Sequence, residues 1–209
     1  MSRFPIPSFS HSGEDLLLHK LFLGRQSGFY VDVGCCHPSD YSNTYILYML
    51  GWRGVVIDAD PTFLGGYKTV RPNDIVVHSG VGEIPGEQTL YTFQDRCLNT
   101  LDPAVAKDYA AKGNAADHVI RVPVDRLASI LRKVRPPKID LMNVDVEGFD
   151  LQVLRSNSWN EFRPEVLAIE DHELLLDDVP RSSTYQYLKS LGYALHSKVN
   201  YTSVYISSR

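Results

Sequence analysis

The chain has 209 residues, enough for one well-buried core and too few for two comfortable ones, so a single domain over 1–209 is expected. Apolar residues make up 44% and charged residues 22%, which argues against a disordered chain and a membrane-embedded one alike. A net charge of -4 argues against nucleic acid held by bulk electrostatics, so no nucleic-acid partner is expected.

The N-terminal segment, 1–28, opens Met1-Ser-Arg-Phe-Pro-Ile-Pro-Ser8, with two prolines and no apolar h-region, which is not a secretory signal. Ser12-Gly-Glu-Asp15 has the composition of a helix cap, and 16–22 reads as a short amphipathic helix. Residues 29–33 form an apolar strand that ends at Gly34, 42–50 a helix closed by Gly51, 54–57 a second strand, and 74–77 a third. Between 83 and 118 the pattern loosens into an excursion, with a short strand at 89–93 and a helix from Asp102-Pro103 to Lys112. A strand at 119–124 follows, with Asp125 capping a helix to Val134 that Pro136-Pro137 stops. Next come a strand at 139–144, its crossover helix from Gly148 to Leu154, a strand at 166–169, an acidic loop, and a helix at 183–191 stopped by Gly192. Residues 193–197 and 204–207 flank Asn200 as a closing antiparallel hairpin. No apolar run reaches membrane-spanning length, so no membrane span is expected.

Strands alternating with helices imply an α/β, Rossmann-like three-layer sandwich around a mainly parallel seven-stranded sheet, with an antiparallel C-terminal strand. The first strand and its glycine, followed by a second strand ending in Asp58 and Asp60, form the arrangement by which α/β proteins hold an adenosine. The glycine admits a close ligand and the carboxylate accepts from ribose hydroxyls. Ligands in such sheets sit beyond the carboxyl ends of the strands, where this sequence offers Asp32, Asp58, Asp60, His78, Ser79, Asn143, Asp145, Glu147, Glu170, Asp171 and His172. So many carboxylates disfavour a pyrophosphate, and the loop after Gly34, Cys35-Cys-His-Pro38, lacks the further glycines of a dinucleotide site. S-adenosylmethionine, with an ammonium, a sulfonium and no phosphate, suits acidic strand ends. A reversed terminal strand agrees, since sulfonium-dependent methyltransferases close their sheet that way.

Several stretches together resemble the FkbM-type methyltransferases: Ser10-His-Ser-Gly-Glu-Asp15, Tyr30-Val-Asp-Val-Gly34, Ser42-Asn-Thr44, Gly51-Trp-Arg-Gly54, Ile139-Asp-Leu-Met-Asn-Val-Asp-Val-Glu-Gly148 and Arg163-Pro-Glu-Val-Leu-Ala-Ile-Glu170. The resemblance runs nearly end to end, and Asp145-Val-Glu-Gly148 is its most specific part. It implies a class I methyltransferase fold, S-adenosylmethionine as cofactor, and transfer to a hydroxyl of a sugar or natural product. By the same resemblance Asp32 and Gly34 lie near the methionine part of the cofactor, Asp58 on its ribose, and His78 and Ser79 near its adenine; Asn43 and Asp145 complete the cofactor set. Two positions depart from the pattern: His11 stands where glutamine is common, and Pro38 where glycine is.

A neutral sugar hydroxyl is a poor nucleophile, so a general base is expected among Asp145, Glu147, Glu170 and His172. The bland alternatives are a helix cap for Asp145, a dipole partner for Glu147 and a solvated loop residue for His172. A divalent cation is the less favoured expectation, and its ligands would be Asp145, Glu170 and His172. Asn99 and Thr100, in the excursion, are expected to contact a small-molecule or glycan acceptor. Arg121, Arg126, Arg132, Lys133, Arg135 and Lys138 read as a solvated face, and Trp52 and Trp159 as core or rim. Three cysteines make no disulfide framework, so Cys36 and Cys97 are expected to be packing residues in a reducing, cytoplasmic setting. The competing readings are methylation of an amine or of a non-sugar natural product, and a catalytically silent cofactor-binding subunit.

Overall fold

The computed structural model describes residues 6–208; Met1–Pro5, part of the segment read as lacking a signal, lie outside the described residues. In chain order the first half comprises α1 (Glu14–Leu21), β1 (Phe29–Val33), α2 (Tyr45–Met49), β2 (Arg53–Asp58), α3 (Pro61–Val70), β3 (Ile75–His78), β4 (Gly80–Val81), β5 (Gly86–Thr92) and α4 (Pro103–Ala111). The second half comprises β6 (His118–Asp125), α5 (Leu127–Val134), β7 (Leu141–Val144), α6 (Asp150–Arg155), β8 (Val166–Glu170), α7 (Ser183–Ser190), β9 (Tyr193–Val199) and β10 (Thr202–Ser207).

Seven strands form one sheet in the order β3-β2-β1-β7-β8-β10-β9. Its first five are parallel, and β10 runs antiparallel to β8 and β9, as the sequence pattern led one to expect. Alternation along the buried strands divides the core between the two faces. Val31, Val33, Ile57, Val144 and Ile169 pack with Leu127, Leu131, Leu154 and Leu188 of α5, α6 and α7. Tyr30, Val56, Leu141 and Ala168 pack on the other face with Leu18, Leu47, Leu64 and Tyr67 of α1, α2 and α3. The strand order reverses between β1 and β7, which opens a crevice at their carboxyl ends.

Local chemistry corrects several expectations. Helix α3 is absent from the pattern reading because Gly65-Gly66 interrupts its apolar face, yet Asp60 accepts from Thr62 N at 2.9 Å as its cap and Pro61 follows. The hydroxyl serving the start of α1 belongs to Ser10, which accepts from Gly13 N and Asp15 N, while Glu14 accepts from Ser12 N. Asp125 lies one residue before the cap of α5 and accepts instead from Arg126 N and Lys133 Nζ. The loosened region is folded: β4, β6 and β5 form a second sheet in that order, and Tyr109 of α4 packs edge-on against Phe93 just after β5.

Candidate functional site

Three connected clefts lie over the crevice. The first, about 510 Å³, is walled by Ile57, Phe63, Val81 and Leu90 and carries Asp58, Ser79 and Asp145. A second, about 920 Å³, shares Gly34, Cys36, Cys97, Asp145 and Glu147 with the first and adds Asn43 and Glu170. The third is a trench of about 1410 Å³ that shares Glu147, Glu170 and Tyr201 with the second and carries His172. Glu147 lines all three.

The lower floor of the site is a buried polar network. Asp32 accepts from Asn143 Nδ2 at 2.9 Å and from the Thr44 hydroxyl, and Asn143 Oδ1 accepts from Asn43 Nδ2 at 3.0 Å. Arg71, fully buried, donates to the Thr44 hydroxyl and to Asp74. Asp32 thus lies beneath the clefts and lines none of them, contrary to its expected place beside the methionine part of a ligand. Burial raises its pKa, opposed chiefly by Arg71. Gly34 has φ 77°, and a Cβ there would fall 1.7 Å from the Asp145 carbonyl oxygen. Its N–H is donated to Ile57 O at 2.9 Å, so the glycine serves the crossing of two strand ends.

Asp58 accepts from Cys36 N at 2.9 Å and from Asp60 N at 2.8 Å, and burial pushes it up to about 6 against those donors. Each oxygen keeps capacity for a second donor. Ser79 lines the first cleft, but its hydroxyl donates to Gly80 O. His78 does not line that cleft but a groove beside α5, with Nε2 3.1 Å from Ala59 O. Asn99 and Thr100 are engaged within the protein: Asn99, which lines the first cleft, donates to Asp60 at 2.9 Å, and buried Thr100 donates to Glu147 O at 2.8 Å. Arg96, which the sequence reading passed over, lines the first cleft with its guanidinium on Thr62 and Asp60.

Where the clefts meet, the structure brings Asp145, Glu147, Glu170 and His172 together. Glu147 is a non-glycine residue at φ 52°, a conformation held from outside. Thr100 holds its carbonyl, Tyr109 Oη donates to its Oε2 at 2.6 Å, and Asp150 accepts from Val146 N and Gly148 N on either side. Tyr109 and Asp150 were not singled out from the sequence, although an acid two residues after a turn glycine is a signal for such a brace. Glu170 Oε1 lies 3.1 Å from His172 Nε2, and the imidazole packs on Tyr201 with ring centroids 4.4 Å apart. Asp145 and Glu170 are within hydrogen-bonding reach; burial, with Glu170 and Glu147 beside it, raises Asp145 far above the carboxylate range, and burial, with Glu147 and Asp150 nearby, raises Glu170 to about 9 against the hydrogen bond to Asp145. Burial also raises Glu147, with Tyr109 opposing. Donor atoms of Glu147, Glu170 and His172 all fall within 4.8 Å of one another, so the metal-type set differs from the expected one by Glu147 in place of Asp145. Asp171, by contrast, is structural, accepting from Ser182 Oγ, Glu173 N and Leu174 N.

Cys36 and Cys97 form a disulfide, with Cα atoms 6.0 Å apart, between the first two clefts. This overturns their reading as packing thiols and removes the ground for a reducing compartment. Among the described residues no helix is long and apolar enough to cross a membrane.

The acidic lining, the apolar slot beside Asp58 and the absence of a glycine-rich phosphate loop fit S-adenosylmethionine: Asp58 would hold its ribose, the slot its adenine, and the Asp145 side its cationic end. A family model described as the methyltransferase FkbM domain matches residues 32–195. No curated protein and no solved structure was found to match the chain. The matched span runs from β1 into β9 and contains the carboxyl ends of β1, β2, β7 and β8 that line the clefts, so the chain belongs to the FkbM methyltransferase family and is an S-adenosylmethionine-dependent methyltransferase.

Proposed function

We propose that the protein, acting as one domain, methylates a hydroxyl of a saccharide or glycosylated metabolite. The observation that carries this reading is the trench, which meets the cofactor clefts at Glu147 and Glu170 and is lined by acceptors suited to a polyol. Asp102 and Glu173 line it together with Gln152, and half-exposed Tyr201, stacked on His172, offers a ring face to a pyranose. Seven carboxylates against Lys112, which is itself paired with Asp108 at 2.6 Å, oppose an anionic acceptor such as a nucleotide sugar.

S-adenosylmethionine supplies a methyl group activated by positive sulfur. The work left to this chain is to align the acceptor and take its proton. Asp145 is the proton acceptor in this reading, because it lines both cofactor clefts beside Glu170. Burial, with Glu170 and Glu147 beside it, raises its pKa, and the positive sulfur of the cofactor would favour the ionised form in which it can accept a proton. Glu147, Glu170 and His172 orient the acceptor. The acidity of the trench also favours a second reading, an amino group as the methylated atom.

Binding of S-adenosylmethionine and S-adenosylhomocysteine by calorimetry, followed by methyl transfer to neutral sugars, amino sugars and nucleotide sugars, tests the proposal. Turnover with neutral sugars is expected, and turnover confined to amines or to nucleotide sugars would sink it. Asp145→Asn should lower turnover about 10²-fold or more while changing cofactor affinity little; equal loss of both would remove Asp145 from the role.

A further inference from the structure

We propose that Glu147, Glu170 and His172 form a binding site for one divalent cation of the manganese type, placed where the cofactor clefts open into the trench. The three side chains come from two different strand ends, yet their donor atoms lie within 4.8 Å of one another. Bonds of about 2.1–2.6 Å put ligands on opposite sides of such an ion about 4.2–5.2 Å apart, so the set closes on one ion with little movement. Two carboxylates and an imidazole are a donor mixture suited to manganese.

A second observation points to a missing cation. The Glu170 side chain is only 10% exposed, and its Oε2 is buried without a hydrogen-bond partner among the described residues. Oε1 of this carboxyl lies 3.1 Å from His172 Nε2 and its other close neighbour is a carboxyl, Asp145, so Oε2 is a buried acceptor that no basic side chain meets. Lys198 is nearby, but its ammonium is directed at the carbonyls of Asp171, at 2.6 Å, and Tyr201, at 3.4 Å. The positive end of the cofactor does not account for the whole set, because His172 lines the trench and neither cofactor cleft. The ligands are also prepared in advance. Tyr109 fixes one oxygen of Glu147, and Tyr201 backs the imidazole.

Resting on the sugar-hydroxyl reading, the ion has a further role. Its remaining coordination positions would take the acceptor oxygen from the trench and lower the hydroxyl pKa, before Asp145 receives the proton.

The test is titration of chelator-treated, dialysed protein with manganese chloride, followed by calorimetry and by electron spin echo spectroscopy. One equivalent should bind, with modulation from an imidazole nitrogen. Glu170→Gln and His172→Ala should each weaken binding about tenfold or more, and His172→Ala should abolish the nitrogen signal. Asp125→Asn, at a residue that lines none of the three clefts, should leave the affinity unchanged and so controls for general carboxylate binding. His172 is half-exposed, which makes its alanine variant safe to fold. Absence of saturable binding, or binding unaltered in both ligand variants, would overturn the site. Because manganese binding is read without cofactor or acceptor, loss of the sugar reading alone would leave this result standing.

Discussion

Gly34 shows how one atom can decide a site. A methyl group there meets the Asp145 carbonyl at 1.7 Å, on a backbone at φ 77°. Gly34→Ala is therefore expected to destabilise the fold by several kcal/mol and to open the junction of β1 and β7, read as a lowered Tm with loss of cofactor binding. Asp58 carries a pH signature. Its pKa rises from the ordinary 3.8 to about 6 on burial, so the stability it contributes is complete below its ordinary value and is lost as pH rises through about 6. Cofactor affinity should move the other way, increasing through about pH 6 as the carboxylate that accepts the ribose hydroxyls ionises. Asp58→Asn should flatten both profiles, and calorimetry and melting curves across pH 4 to 8 would show whether it does. The sequence makes Asp58, Asp145 and Gly34 legible because each ends a strand at the crevice. It misplaces Asp32 and His78 because position along a strand does not say which face a side chain takes, and alternation carries Asp32 into the Thr44–Arg71 network.

At the scale of elements, the excursion acts as a holder for Glu147. Helix α4 sets Tyr109 on its carboxylate, the segment before it sets Thr100 on its carbonyl, and Val105 packs within 2.7 Å of where a Gly148 Cβ would lie. Tyr109→Phe should cost about 1 kcal/mol of stability and lower turnover by about tenfold, with cofactor affinity unchanged; a variant with normal turnover would separate the excursion from the chemistry. Helix α4 was readable because Asp102-Pro103 is a local start signal, and Asp102 does accept from Ala104 N at 2.7 Å. The second sheet was not readable as a sheet, because β5 and β6 pair antiparallel across a long connection and leave β6 largely exposed, so the apolar pattern is weak. Helix α3 was lost for a local reason, its paired glycines.

Across the whole molecule, the strand order brings Gly34, Asp58, Asp145 and Glu170 to one crevice, and that much followed from alternating strands, helices and a reversed end. The disulfide did not follow, since Cys36 and Cys97 are 61 residues apart and become neighbours only once the excursion folds over the Gly34 loop. Closing a loop of that length restricts the unfolded chain by about 4 kcal/mol in the chain-entropy picture. Reduction, or Cys97→Ser, should therefore lower Tm by about 10 °C or more for a chain of this size. Scanning calorimetry with and without dithiothreitol measures it, and an unchanged Tm would show that the bond does not constrain unfolding.

The same bond has a topological consequence. Cys36 and Cys97 turn the chain between them into a covalent ring that holds α2, β2, α3, β3, β4 and β5. The turn before β5 lies inside that ring and is exposed, with Ile84 at 74%. A protease nick there would leave the two fragments tied together, migrating as one band on a denaturing gel until a reductant parts them.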